Sequence, residues 1–176
     1  MIMPRGQPLL LPAKTSFVVF SLLAALLINM LQGMGWGGNA PWVPDVLALV
    51  LVFWCVHQPM RIGIGWAFFL GLVMDVHQAG LLGQYALSYT VLGFLATMIH
   101  RRLLWFTVPS QALQVLPLFV AAHALSLLLR IGSGANFPGW SLLFAPLLEA
   151  LLWPLVSVVL LAPQRRAPDP DANRPL

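Results

Sequence analysis

Six apolar runs, at 16–34, 43–58, 62–77, 84–100, 112–130 and 140–161, take up most of the chain and leave only short polar breaks between them. In lipid a backbone has no water to bond to, so such runs must fold as helices that satisfy their own N–H and C=O groups. A straight crossing needs about 20 residues and tolerates about 17–25. The second and third runs fall short of that, which predicts tilt, or a tight turn between them at Gln58-Pro59-Met60-Arg61. Only 8% of the residues are charged and 60% are hydrophobic, whereas a soluble domain carries roughly 25% charge. The chain therefore reads as an all-α membrane protein, a six-helix transmembrane bundle over 16–161. A cytoplasmic N-terminal segment is expected at 1–15 and a disordered, proline-rich cytoplasmic tail at 162–176.

The nine Lys and Arg residues predict orientation. With the N-terminus placed inside, Arg5, Lys14, Arg61, Arg101, Arg102, Arg165, Arg166 and Arg174 fall on the cytoplasmic side, and only Arg130 falls outside. A bias of this kind sets topology, and two cytoplasmic termini require an even number of crossings. It also accounts for the net charge of +4. The basic residues stand singly or in pairs, with no patch able to follow a phosphate backbone, so the expected surface is the lipid bilayer and no nucleic acid. Arg5 and Lys14 ahead of an apolar run resemble a secretory signal. The best small-residue cleavage site, Gly38-Asn39-Ala40, is followed by Pro41, so an uncleaved first span is expected. Cys55 stands alone inside an apolar run and forms no disulfide framework or paired-cysteine metal motif.

The third run carries a pattern of its own. Gly63, Ala67, Gly71 and Asp75 recur at steps of four, so they drift only about 40° per step and share one helical face. A ridge of small residues admits another helix closely, and an acid on that ridge faces protein rather than lipid. Gly80 and Gly83 follow as a turn. The ridge is a candidate for packing within the chain or for receiving a partner's helix. A second ridge, Tyr89, Gly93, Ala96 or Thr97, and His100, lies on the fourth run.

Four further polar residues lie inside apolar runs or at their edges: Asp45, His123, Arg130 and Glu149. Pro44-Asp45 reads as a helix start, where an acid suits the free N–H groups and the dipole. Glu149 follows Trp140 by nine residues, about 13 Å along a helix. A charge at that depth costs at least about 2.5–3.5 kcal/mol, so protonation or pairing is expected, and the pairing expected is Arg130 with Glu149 or Asp75. His123, between small residues, is expected to bond another helix. His57, His77 and His100 lie near helix ends, where a polar ring reaches the interface. Pro146 and Pro154 are expected to kink the sixth run.

No chemistry emerges from these residues. The histidines lack metal-ligand spacing, so no metal or cofactor is expected. His123 and Ser126 are one turn apart but without a Gly-x-Ser-x-Gly context. A two-acid site would need Asp75 and Glu149 to share a proton. No phosphate-binding glycine loop is present in the sequence. No catalytic residue is assigned.

The chain resembles the rod shape-determining protein MreD family. The resemblance runs through length, six spans and cytoplasmic ends, with Pro44-Asp45 opening the second span, Phe53-Trp54 leading to Pro59, and Gly71-x-x-x-Asp75 followed by Gly80 and Gly83. It implies a non-enzymatic scaffold of the bacterial inner membrane that helps to localise peptidoglycan synthesis. It further implies binding to the bitopic protein MreC, in one assembly with the actin-like MreB filament, the RodA glycosyltransferase and its transpeptidase. The family's fold is similar to the substrate-binding membrane subunits of energy-coupling-factor vitamin transporters, which supplies the rival reading of a small-solute-binding subunit. That rival needs a concave outer pocket with several convergent polar groups. The short, glycine-rich outer loops and few polar candidates of this sequence speak for the scaffold.

Overall fold

The second apolar run, one of the two shortest, forms the centre of the molecule. A computed structural model describes residues 13–36, 41–79 and 81–164. Among these there are six α-helices and no strand: α1 (Thr15–Leu31), α2 (Val46–His57), α3 (Ile64–Gln78), α4 (Gln84–Leu103), α5 (Val108–Gly132) and α6 (Phe144–Leu161). Every residue of α2 from Leu47 to Val56 is buried, and α1, α4 and α6 pack around it. Twelve residues extend about 18 Å, well short of the roughly 30 Å hydrocarbon core. A helix enclosed by other helices need not match that thickness, which is why a run hydrophobic on all sides can be so short.

Three stretches are long and apolar enough to cross a membrane, namely Thr15–Met34, Val108–Gly132 and Trp140–Gln164. They comprise α1, α5 and α6 with their flanking turns. The 15 residues of α3 and the 12 of α2 are short by this measure. The 20-residue α4 ends on His100, Arg101 and Arg102, which dilute its apolar character. Of the six expected crossings, length and composition alone thus support three.

Helix boundaries follow local chemistry. Asp45 caps α2, its Oδ1 accepting the Ala48 N–H at 2.8 Å. The start of α5 is four residues earlier than the apolar run predicted, because Pro109 occupies its first turn, where a missing N–H is not needed. Pro146 likewise falls in the first turn of α6 and interrupts nothing, so the kink expected there is withdrawn; Pro117 and Pro154 are the prolines inside helices. Gly83 opens α4 with φ of 101°, a conformation glycine adopts without strain. Gly80, residues 1–12 and 37–40, and the tail from residue 165 lie outside the described residues.

The turn after α3 contains an unfavourable residue. Ala79 closes the helix in the left-handed region, with φ 47° and ψ 30°, and its side chain is exposed. Ala79→Gly is therefore expected to stabilise the fold by about 1 kcal/mol, the left-handed penalty less the extra chain entropy of glycine. A raised midpoint of thermal unfolding in detergent is the expected reading; an unchanged or lowered midpoint would remove the strain argument.

Candidate functional site

A polar network joins five helices at one end of the bundle. The first N–H groups of any helix lack intrahelical partners, and in a dry interior each must find one. At the start of α2 all four are met by side chains. Glu149 Oε1, from α6, accepts the Asp45 N–H at 2.9 Å. Asn29 Oδ1, from α1, accepts the Val46 and Leu47 N–H groups at 3.1 and 3.3 Å. Asp45 itself takes that of Ala48. In a capping box the residue three after the cap reaches back to the cap's own N–H; that position here is Ala48, and Glu149 supplies the missing acceptor from another helix.

Asp45 is also the meeting point of the network's side chains. Its Oδ1 accepts the Asn29 amide at 2.6 Å and its Oδ2 accepts the Tyr89 hydroxyl of α4 at 2.5 Å. On α5, His123 Nδ1 faces the Phe119 carbonyl at 3.1 Å. A carbonyl only accepts, so Nδ1 carries the hydrogen. His123 Nε2 stands 3.4 Å from Glu149 Oε1, and facing acceptors need a proton between them. Whichever atom holds it, the pair is neutral in sum, which suits a carboxylate with no exposed surface. Glu149 Oε2 has no partner among the described residues.

A second cap joins α3 to α4. Asp75, only 1% exposed, accepts the N–H groups of Gly83 and Ala86 on Oδ2 at 2.9 and 3.1 Å and that of Tyr85 on Oδ1 at 2.8 Å. On its own helix the acid sits near the negative end of the dipole; across the turn it meets the positive end of α4. Four residues earlier Gly71 lets the two backbones touch. A Cβ added there would lie 2.5 Å from Ala86 Cα and 2.6 Å from the Tyr85 carbonyl oxygen. Ala67 is fully buried, and a Cβ on Gly93 would come 3.1 Å from its own. Gly63 caps α3 at its start and is not crowded.

Between these caps lies a partly open cavity of about 540 Å³, lined by residues of α1 to α5 and of the turns beside them, including Asn29, Asp45, His77, Tyr85, Tyr89, His123 and Arg130. The ends of α1, α3 and α5 and the starts of α2, α4 and α6 meet here, so successive helices run in opposite directions. At the other end Arg61 donates to the Ala13 carbonyl at 2.8 Å, joining the end of α2 to the start of α1.

The model of the rod shape-determining protein MreD family matches residues 10–162. The chain is also 30% identical over 160 residues to the rod shape-determining protein MreD of Haemophilus influenzae, covering 84% of this chain and 93% of that protein. The chain belongs to the MreD family. No solved structure matches it. The MreD family is a shape-determining one rather than a family of enzymes, and with its apolar helices this member is a membrane protein.

Two expectations need correction in this MreD-family chain, and one alternative left open by the sequence is closed. Arg130 pairs with neither Glu149 nor Asp75: among the described residues the one carboxylate–base contact is His123 with Glu149. Backbone amides were the better partners, since they satisfy an acid without bringing a second charge out of water. The ridge of Ala67 and Gly71 is covered by α4 of the same chain and leaves no room there for a partner's helix. Finally, polar groups at this end are not few. Asn29, Gln32, Gln78, Gln84, Tyr85 and Ser88 line the cavity beside Asp45, and none of them is among the polar candidates drawn from the sequence. Asn29 carried the strongest signal, being the sole Asn within the first apolar run. His123 and Ser126 do not act as a pair; Ser126 bonds Ser88 of α4 at 2.7 Å.

Proposed function

We propose that the chain is a non-enzymatic scaffold of the bacterial inner membrane, contributing to rod cell shape and to the placement of peptidoglycan synthesis. In this reading it binds an MreC-type bitopic protein and lies in one assembly with actin-like MreB, the RodA glycosyltransferase and its transpeptidase. All six helices cross the bilayer, with both termini cytoplasmic. Membership of the MreD family carries the reading. The orientation draws support from the described basic residues: Lys14, Arg61, Arg101 and Arg102 stand at the helix ends away from the cavity, and Arg130 at the cavity.

The surface left for partners is the outside of the bundle. With one face of α3 closed by α4, its opposite side presents Phe68, Phe69, Leu72 and Val76, all exposed, on consecutive turns. Apolar side chains facing outward are neutral toward lipid and become adhesive only through shape, so association here would rest on packing.

The scaffold reading predicts that this chain restores rod form to cells depleted of their own MreD. A single-span protein should co-purify with it from native membranes in mild detergent. Round cells despite wild-type levels of folded protein, or capture of a paired ATPase module in place of a single-span protein, would overturn it.

A further inference from the structure

The walls of the cavity contain two kinds of polar group. Asn29, Asp45, Ser88, Tyr89 and Ser126 bond one another or the backbone. A second set has no side-chain partner among the described residues: the Arg130 guanidinium, the amides of Gln32, Gln78 and Gln84, and the Tyr85 hydroxyl all border the cavity. Four of these, Gln78, Gln84, Tyr85 and Arg130, also border an adjoining cavity of about 310 Å³ that reaches Asp75. They form the partition between the two spaces.

The spare capacity of this partition consists mainly of donors. Asp45 and Asp75 each accept three hydrogen bonds within the protein, and Glu149 Oε1 accepts the Asp45 N–H and faces His123 Nε2. Among the described residues lining the two cavities, Arg130 is the one guanidinium, with no side-chain partner, and its fork matches a carboxylate or phosphate with two parallel bonds. The larger cavity falls within the roughly 300–1,000 Å³ typical of small-molecule sites.

We infer that this cavity binds a small oxyanion, a phosphate or carboxylate group, held by Arg130 and flanked by Gln78, Gln84 and Tyr85. The inference stands apart from the scaffold reading, because it needs no partner protein. A free anion and the headgroup of an anionic lipid share this chemistry. The site lies at the bundle end where either would arrive.

The test uses the full chain in nanodiscs. One arm titrates inorganic phosphate against chloride at constant ionic strength in phosphatidylcholine discs, following tryptophan fluorescence and the thermal midpoint. The other compares phosphatidylglycerol with phosphatidylcholine discs without added phosphate. A saturable response in the first arm identifies a free anion, and one confined to the second identifies a lipid headgroup. In either case Arg130→Gln should weaken the response at least about tenfold, the loss of a charge-assisted contact. Arg130→Lys should fall between, keeping the charge without the fork. No response in either arm, or one that Arg130→Gln leaves unchanged, overturns the inference.

Discussion

Gly71→Ala is expected to lower the thermal midpoint of the purified protein more than any other addition of one methyl group. The new carbon would lie 2.5 Å from Ala86 Cα, 2.6 Å from the Tyr85 carbonyl oxygen and 2.7 Å from the Ala86 nitrogen. All three are backbone atoms of α4, which cannot rotate away as a side-chain tip can. Relief requires the helices to part, and parting stretches the bonds from Asp75 to Gly83, Tyr85 and Ala86. Overpacking a tight site costs about 1–3 kcal/mol, and loosening a buried carboxylate adds to it, so a loss of about 3 kcal/mol is expected. The same physics makes Gly71→Ala and Asp75→Asn less than additive, since each disturbs the same clamp. Unfolding curves of the two single variants and the double variant check this. A midpoint for Gly71→Ala within error of wild type, or strict additivity with Asp75→Asn, would show that α3 and α4 are not held this closely.

Asp45→Ala should be the most damaging loss of a polar side chain. It removes the acceptor for the Ala48 N–H, the Tyr89 hydroxyl and the Asn29 amide. Each stranded donor costs about 1–3 kcal/mol when buried. Water reaching the cavity satisfies part of that need, so a loss of about 3–5 kcal/mol is expected. Asp45→Asn keeps one oxygen and should cost less. A double-mutant cycle with Tyr89→Phe isolates the α2–α4 bond, and a coupling of about 1–3 kcal/mol is expected for a charge-assisted contact. If Asp45→Ala unfolds like wild type in detergent, or the cycle shows no coupling, the network is not what holds these helices in register.

Both variants bear on function through stability. A membrane protein that falls below its folding threshold is depleted in cells, so each should round a rod-shaped host through reduced abundance. Measured protein levels separate this route from loss of a partner contact. Ala79→Gly, acting in the opposite direction, should leave shape intact.

Much of the architecture is legible in the sequence. The six apolar runs correspond to the six helices, and Pro44-Asp45 marked the true start of α2. The spacing of Ala67, Gly71 and Asp75 marked the face of α3 that meets α4. Periodicity reveals which face of a helix is special, because side-chain direction follows from sequence position alone. It does not reveal what that face meets. For that reason the ridge reads as an intrachain seam or a docking surface, and the pairing expected for Arg130, with Glu149 or Asp75, misses the amides of Gly83, Tyr85 and Ala86 that bond Asp75.

Composition and residue spacing suffice to assign this protein to lipid, to make it helical, and to mark which helix faces are small or polar. Hydropathy and helical period are local properties, and a bilayer leaves few alternatives. Packing in three dimensions makes α2 the enclosed centre, brings Glu149 and Asn29 to its cap, and gathers residues of five helices around a cavity beside Arg130. Those facts depend on atoms up to 104 residues apart in the chain, and no local pattern carries the distance between them.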